Sequence, residues 1–415
     1  MKAELITIGD ELLIGQTVNT NANWLGRELT LCGAEVSRCN TIQDERSEII
    51  RALDEALDHN DLVVVTGGLG PTRDDLTKET LSEYFDTPLV MREDVLERIK
   101  KYFESRDRGM LPSNVKQAEL PKDCIVFENN HGTASGMWFE RNKQVVVSIP
   151  GVPYEMKALM EESVIPKIKS FFSLSGLHYE TLMTLGIEES MLADKIESWE
   201  DRIYEDGLSL AYLPSPGIVR LRLSSKRGAK DTKLINNYIE ELERGLPKYA
   251  YGRNGETVYE VVGDLMRKEK AKLGSVESCT GGGIVKAFVE HSGASDFFQG
   301  SLVTYSNELK ERLAGVDHDV LQKHGAVSQE VVEAMAVGGQ KKLGVDYCVA
   351  VSGVAGPNGG SPDKPVGTVW VGVAHKKGVT SKKLKLTNHR GRNLEMTALY
   401  SVNFLRQIVL GIDLD

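Results

Sequence analysis

Leu62-Val63-Val64-Val65 is a short, unbroken apolar run. Strand side chains alternate between faces, so such a run leaves no side for water. It belongs inside a parallel sheet covered by helices on both faces. The surrounding chain agrees. Leu5-Ile6-Thr7-Ile8 reads as a strand, and residues 21–31 as a helix with Trp24, Leu25 and Leu29 at helical spacing. Gly33 is placed to end that helix. Residues 35–42 read as a second strand, and residues 47–57 as a helix with Ile49, Ile50, Leu53, Ala56 and Leu57 on one side. This alternation predicts an open, doubly wound α/β domain over residues 1–170. Ligands of such sheets sit beyond the C-terminal strand ends.

Two polar loops fall at those ends. Gly9-Asp10-Glu11-Leu12 follows the first strand, and Thr66-Gly67-Gly68-Leu69-Gly70-Pro71-Thr72-Arg73-Asp74-Asp75 follows the apolar run. Glycine-rich turns cradle phosphates, and nearby carboxylates hold a divalent cation over them. Gly67, Gly68, Gly70 and Thr72 are therefore candidate phosphate contacts. Asp75 is the first candidate metal ligand, Asp10, Glu11 and Asp44 are candidates for metal or ribose contact, and Asp74 is read as a solvated neighbour or cap. Neither loop is a Walker A motif, since no Gly-Lys-Ser/Thr follows. Downstream, the small-residue loop 129–136 contains His131, read as a loop hydrogen-bonder. A strand over 145–149 runs into Pro150-Gly151-Val152-Pro153 and a helix to residue 168.

Residues 171–176 read as a linker, and 171–251 as a small α+β domain. Its expected elements are a strand at 179–185, a helix at 188–199, a hairpin about Pro214-Ser215-Pro216-Gly217 and a helix at 230–243. It carries no catalytic constellation.

Residues 252–415 read as a third, α/β domain. Within it, Glu277-Ser278-Cys279-Thr280-Gly281-Gly282-Gly283 joins a short apolar strand to a helix. Glycines at such a turn let a ligand approach the backbone. The free N–H groups at a helix start attract an anion or a developing oxyanion. Gly300-Ser301-Leu302-Val303-Thr304-Tyr305 is expected as a strand, and the helix after it carries Lys310, a base for a serine. An isolated Ser278 would be only an N-cap. The polar strand ends at Tyr305, at Ser352-Gly353-Val354-Ala355-Gly356-Pro357 and at His389-Arg390-Gly391-Arg392 favour an active site.

With 415 residues the chain exceeds one ordinary core. A net charge of −10 argues against direct nucleic-acid binding. There is no bilayer-length apolar run, no signal-peptide pattern and no CxxC among the five cysteines. The cytoplasm is the expected compartment.

These segments carry a resemblance. The last domain resembles the CinA C-terminal family through Glu277–Gly282, Val303–Lys310, His324-Gly325-Ala326-Val327-Ser328, Ser352–Pro357 and Lys364-Pro365-Val366-Gly367-Thr368-Val369. The first resembles the molybdopterin-binding fold of the MoaB, MogA and MoeA proteins through Gly9–Leu12, Gly67–Thr72 with Asp75, and Pro150–Pro153. Both in this order resemble the full-length CinA family. The resemblance implies two hydrolytic activities. The C-terminal domain would deamidate nicotinamide mononucleotide (NMN) without a cofactor. Ser278 would be its nucleophile, Lys310 its base and Tyr305 a proton relay or orienter. Thr280, Gly281 and Gly282 would lie at the substrate, Ser352 would stand where some relatives have Thr, and Arg390 would hold the phosphate. The N-terminal domain would split ADP-ribose into AMP and ribose 5-phosphate with a divalent metal at Asp75. A homodimer without membrane attachment is implied. Two other readings stand beside these: a non-catalytic pterin- or nucleotide-binding first domain, and a competence or DNA-repair accessory role.

Overall fold

The computed structural model describes residues 1–72, 74–174, 176–225 and 227–414. Arg73 of the glycine-rich loop, Ser175 of the expected linker, Lys226 and Asp415 lie outside the described residues. The chain divides into two compact units, one built on Met1–His178 and the other beginning at Tyr179.

In the first unit, strands β1 (Lys2–Ile8), β2 (Glu35–Ile42) and β3 (Leu62–Thr66) precede a small ribbon of β4 (Leu89–Met91) and β5 (Glu119–Pro121). Strands β6 (Ile125–Phe127), β7 (Gly136–Arg141) and β8 (Gln144–Ile149) complete a six-stranded sheet in the order β2-β1-β3-β8-β7-β6. The first four strands are parallel, and β7 and β6 are antiparallel additions at one edge. The sheet is doubly covered, as the apolar run requires. Leu62 and Val64 pack with Leu5, Val145 and Val147 against Trp24, Leu25 and Leu29 of the Thr20–Cys32 helix. Val63 and Val65 pack on the other face with Ile6, Ile8 and Val146 against Ile49 and Leu53 of the Arg46–Leu57 helix. Truncating a fully buried leucine such as Leu62 to alanine costs about 2–5 kcal/mol.

In the second unit, β9 (His178–Leu185), β10 (Ser209–Ser215), β11 (Ile218–Ser225) and β12 (Ala250–Arg253) form a sheet in the order β10-β11-β9-β12. The Glu189–Glu205 and Thr232–Gly245 helices cover it through Ile196, Trp199, Ile235 and Ile239. The first of these outruns its expected end at residue 199 because Ile203, one helical turn on, is also buried.

The final sheet holds β13 (Leu273–Glu277), β14 (Phe298–Val303), β15 (Tyr347–Gly353), β16 (Thr368–His375) and β17 (Gly378–Lys385), in the order β14-β13-β15-β16-β17. Strand β13 runs parallel to β14 and β15, while β16 and β17 are antiparallel. Thr257 and Glu260 form a capping box at the start of the Val258–Glu269 helix, stabilising it by about 1 kcal/mol. Strand β14 stops at Val303, two residues before its expected end. Ser306 then caps the Asn307–Ala314 helix by accepting the Leu309 N–H at 3.2 Å, so Thr304 and Tyr305 form the turn between.

Candidate active sites

Parallel register assembles the C-terminal site. Glu277 pairs with Val303 on one side and Val351 on the other, so Ser278, Thr304 and Ser352 emerge together at the carboxyl ends of three parallel strands. Ser278 is fixed by its N–H, which donates to the Val351 carbonyl at 3.1 Å. The short Asn307–Ala314 helix turns Lys310 inward, leaving it 1% exposed. Its Nζ lies 3.0 Å from Ser278 Oγ, 3.0 Å from the Thr304 carbonyl and 3.3 Å from the Tyr305 carbonyl. A neutral amine has two N–H bonds and one lone pair. Two carbonyls occupy the donors, and the lone pair is left for the serine O–H. Burial lowers the Lys310 pKa, which favours that neutral form. Cys279 is buried beside the serine, and burial pushes its thiol up to about 12. It is thus a thiol at neutral pH and a poor competitor as nucleophile.

Other sequence-predicted residues are distributed around this pair. Gly281 and Gly282 take φ of +62° and +104°, so a side chain at either would strain the turn. The Thr280 hydroxyl donates to Glu277 Oε2 at 2.8 Å, and the Ser352 hydroxyl donates to the Ala326 carbonyl at 2.6 Å. Arg390 is exposed at the start of the last helix. It donates to the Gly356 carbonyl at 2.8 Å, and its other nitrogen lies 3.5 Å from the exposed Tyr305 hydroxyl. Buried Asn393 pins this corner by bonding Thr387 and the Ala355 carbonyl. Two residues were given no role from sequence. One is Asn393; the other is Glu277, whose carboxylate is fully buried under the turn. Nothing in a single sequence marks a strand-end glutamate as buried.

The N-terminal site is likewise a strand-end cavity, of about 600 Å³, between the two glycine-rich loops and the Pro150–Pro153 turn. Asp75 organises the second loop. Its carboxylate accepts the Gly70 N–H at 2.8 Å, the Thr72 N–H at 2.9 Å and the Thr72 hydroxyl. A Cβ at Gly67 would stand 2.3 Å from the Ile8 carbonyl oxygen, and one at Gly70 2.5 Å from Asp75 Oδ2. These glycines are demanded by the loop's own packing. Asp44 and Glu11 line the cavity, while Asp10, exposed in the Asp10–Leu13 turn of helix, is not among the lining residues. The Asp44 pKa is raised to about 6, mainly by burial and further by Asp75, Asp74 and Asp10. Glu155, another wall residue, is also raised by burial. Three lining residues escaped sequence reading: Thr7, Asn21 and Gln117. Their Oγ1, Oδ1 and Oε1 atoms are buried without a partner, as polar groups awaiting a ligand are. They come from three separate elements, so no local pattern announces them. His131 faces Glu162 at 3.5 Å, in keeping with a loop role. Among the described residues, no three His, Cys, Asp or Glu side chains gather as a ready metal site.

Comparison with known proteins adds the family. Residues 255–409 match the CinA C-terminal domain, residues 4–170 a probable molybdopterin binding domain, and residues 179–252 the damage-inducible protein CinA KH domain. A CinA-like protein of Cytophaga hutchinsonii is 41% identical over 408 residues, covering 98% of this chain and 97% of that one. The chain belongs to the CinA family. A second CinA relative, a putative competence-damage inducible protein of Clostridium novyi, is 39% identical and covers 98% of each chain. The crystal structure of the protein CinA with unknown function from Thermoplasma acidophilum is 41% identical, covering 40% of this chain and 97% of that chain at a TM-score of 0.37. The CinA assignment gives the middle unit, legible from sequence only as small α+β, as a KH domain. No described helix of this CinA protein is long and apolar enough to cross a membrane.

Proposed function

We propose that the C-terminal domain hydrolyses the carboxamide of NMN and that the N-terminal domain hydrolyses ADP-ribose. The observation that carries the first reading is the 3.0 Å contact between buried Lys310 and Ser278. An amide is a weak electrophile and needs an activated nucleophile, an oxyanion site and a proton for the leaving amine. Lys310 takes the Ser278 proton as Oγ attacks the amide carbon. Collapse breaks the C–N bond, and the lysine returns the proton to the departing ammonia. Water, deprotonated by the same amine, then cleaves the acyl-serine ester to nicotinate mononucleotide. The backbone N–H groups of the turn that follows Ser278 supply the oxyanion site, the role of the residue after a nucleophilic serine. Arg390 supplies the charge for the substrate phosphate. Release of ammonia from NMN by the full chain, absent in Ser278→Ala, tests this reading.

For the N-terminal site, hard carboxylate oxygens suit a divalent cation of the magnesium type. Such ions are commonly held by one or two carboxylates and completed by substrate phosphate oxygens. Asp44 and Asp75 fit that part, since both carboxylates line the cavity, where burial first and the neighbouring carboxylates second raise the Asp44 pKa. A bound cation would offset the charge of the diphosphate. Thr7, Asn21 and Gln117 bind the rest of the nucleotide through the polar atoms now without partners. Metal-dependent release of AMP from ADP-ribose is the test; binding without turnover would favour a regulatory nucleotide-binding domain. Salt-dependent retention of DNA would instead favour the accessory role.

A further inference from the structure

Glu277 plays no part in the proton transfers above, yet it is the best-connected side chain at the site. It is fully buried at the end of β13, directly before Ser278. Oε1 accepts the Ser275 hydroxyl at 3.2 Å, the Ser301 hydroxyl at 3.2 Å and the Val285 N–H at 2.9 Å. Oε2 accepts the Thr280 hydroxyl at 2.8 Å and the N–H groups of Gly282 and Ile284, each at 3.0 Å. Its main-chain carbonyl accepts the Thr304 N–H at 2.8 Å, and the Thr304 carbonyl in turn holds Lys310.

Burying a carboxylate is costly unless its lone pairs are all used. A surface helix start is capped as well by a neutral serine or asparagine, without that cost. Here the cost falls beside the serine, and one residue ties together β13, β14, the 280–282 turn and the Gly283–Val289 helix.

We propose that Glu277 is a positioning residue for the serine–lysine pair. Its carboxylate takes up the N–H groups of Gly282, Ile284 and Val285. That fixes the turn directly after Ser278 and holds its hydroxyl opposite Lys310. This inference rests on the serine–lysine reading above.

Glu277→Gln tests it in the full chain. An amide keeps the size but turns one acceptor into a donor; hydroxyls can rotate to meet it, whereas a backbone N–H cannot. Three quantities are measured: thermal midpoint, kcat and KM for NMN, and the rate at which a small sulfonyl fluoride labels Ser278. The folded variant should lose about 100-fold in both labelling and kcat, the scale of a 1 Å misplacement, with KM nearly unchanged. Ser301→Ala removes one hydroxyl from Oε1 and should slow labelling by a smaller factor at an unchanged thermal midpoint. It serves as the deciding variant should Glu277→Gln fail to fold. Wild-type labelling in folded Glu277→Gln, or failing that in Ser301→Ala, overturns the proposal. Labelling of the wild type without NMN turnover would remove the substrate reading and leave this inference standing. A wild type that resists labelling would remove both.

Discussion

Lys310 and Ser278 stand 32 positions apart in sequence and 3.0 Å apart at Nζ and Oγ. The contact needs three things at once: the parallel β13–β14 pair, the two-residue turn after Val303, and a helix that starts early enough to aim Lys310 inward. The burial that produces the contact also strips water from the amine, so packing and reactivity have one cause.

The pH dependence follows with a definite sign. Burial lowers the Lys310 pKa below that of an ordinary lysine, and the base works only when neutral. NMN turnover should rise with pH and level off at a midpoint below that of an ordinary lysine. Cys279→Ala should leave the profile in place, because the thiol keeps its proton up to about 12. The folded state also holds the Lys310 proton less tightly than the unfolded one. Stability should therefore rise with pH between the folded and unfolded values, and Lys310→Met should flatten that rise. A pH–rate profile and melts across the same range check both.

The two activities should separate under chelation. A metal is proposed only at the N-terminal cavity, so a chelator should stop ADP-ribose hydrolysis and spare NMN deamidation. Asp75→Asn should do the same, losing both a metal charge and one of the two acceptor oxygens that shape Gly70–Thr72. Parallel assays of AMP and ammonia release check this, and equal loss of both activities would contradict two independent sites.

Asp44 gives a stability test without any substrate. Its folded pKa is raised from 3.8 to about 6, so the folded state binds more protons than the unfolded state between those values. That contribution is fully present below 3.8 and is lost as pH rises through about 6. Asp44→Asn should therefore raise the thermal midpoint at neutral pH, with the gain vanishing in acid. Magnesium should stabilise the wild type more than the variant. Calorimetry with and without magnesium checks both outcomes.

Legibility in the sequence followed locality. The double-sided burial of Leu62–Val65 was readable because four consecutive apolar residues admit no other strand environment. Ser278 and Lys310 were readable as a polar turn and a lysine on the next helix. The length of the 304–305 turn was not, because the last ladder bond, Thr304 N–H to the Glu277 carbonyl, depends on a neighbouring strand. Thr280 and Ser352 were readable as residues at the substrate, but that their hydroxyls donate to Glu277 and to the Ala326 carbonyl depends on neighbouring segments. Thr7, Asn21 and Gln117 are ordinary polar residues until three elements bury them around one cavity.

The central claim is that Ser278 and Lys310 act as one catalytic unit on an amide. The most direct measurement is kcat and KM for NMN in Ser278→Ala, Lys310→Ala and the double variant, with Cys279→Ala alongside. Each single variant should lose at least about a thousandfold in kcat with a much smaller change in binding, and the double variant should lose little more than either. Near-normal turnover in Ser278→Ala together with its loss in Cys279→Ala would contradict the account.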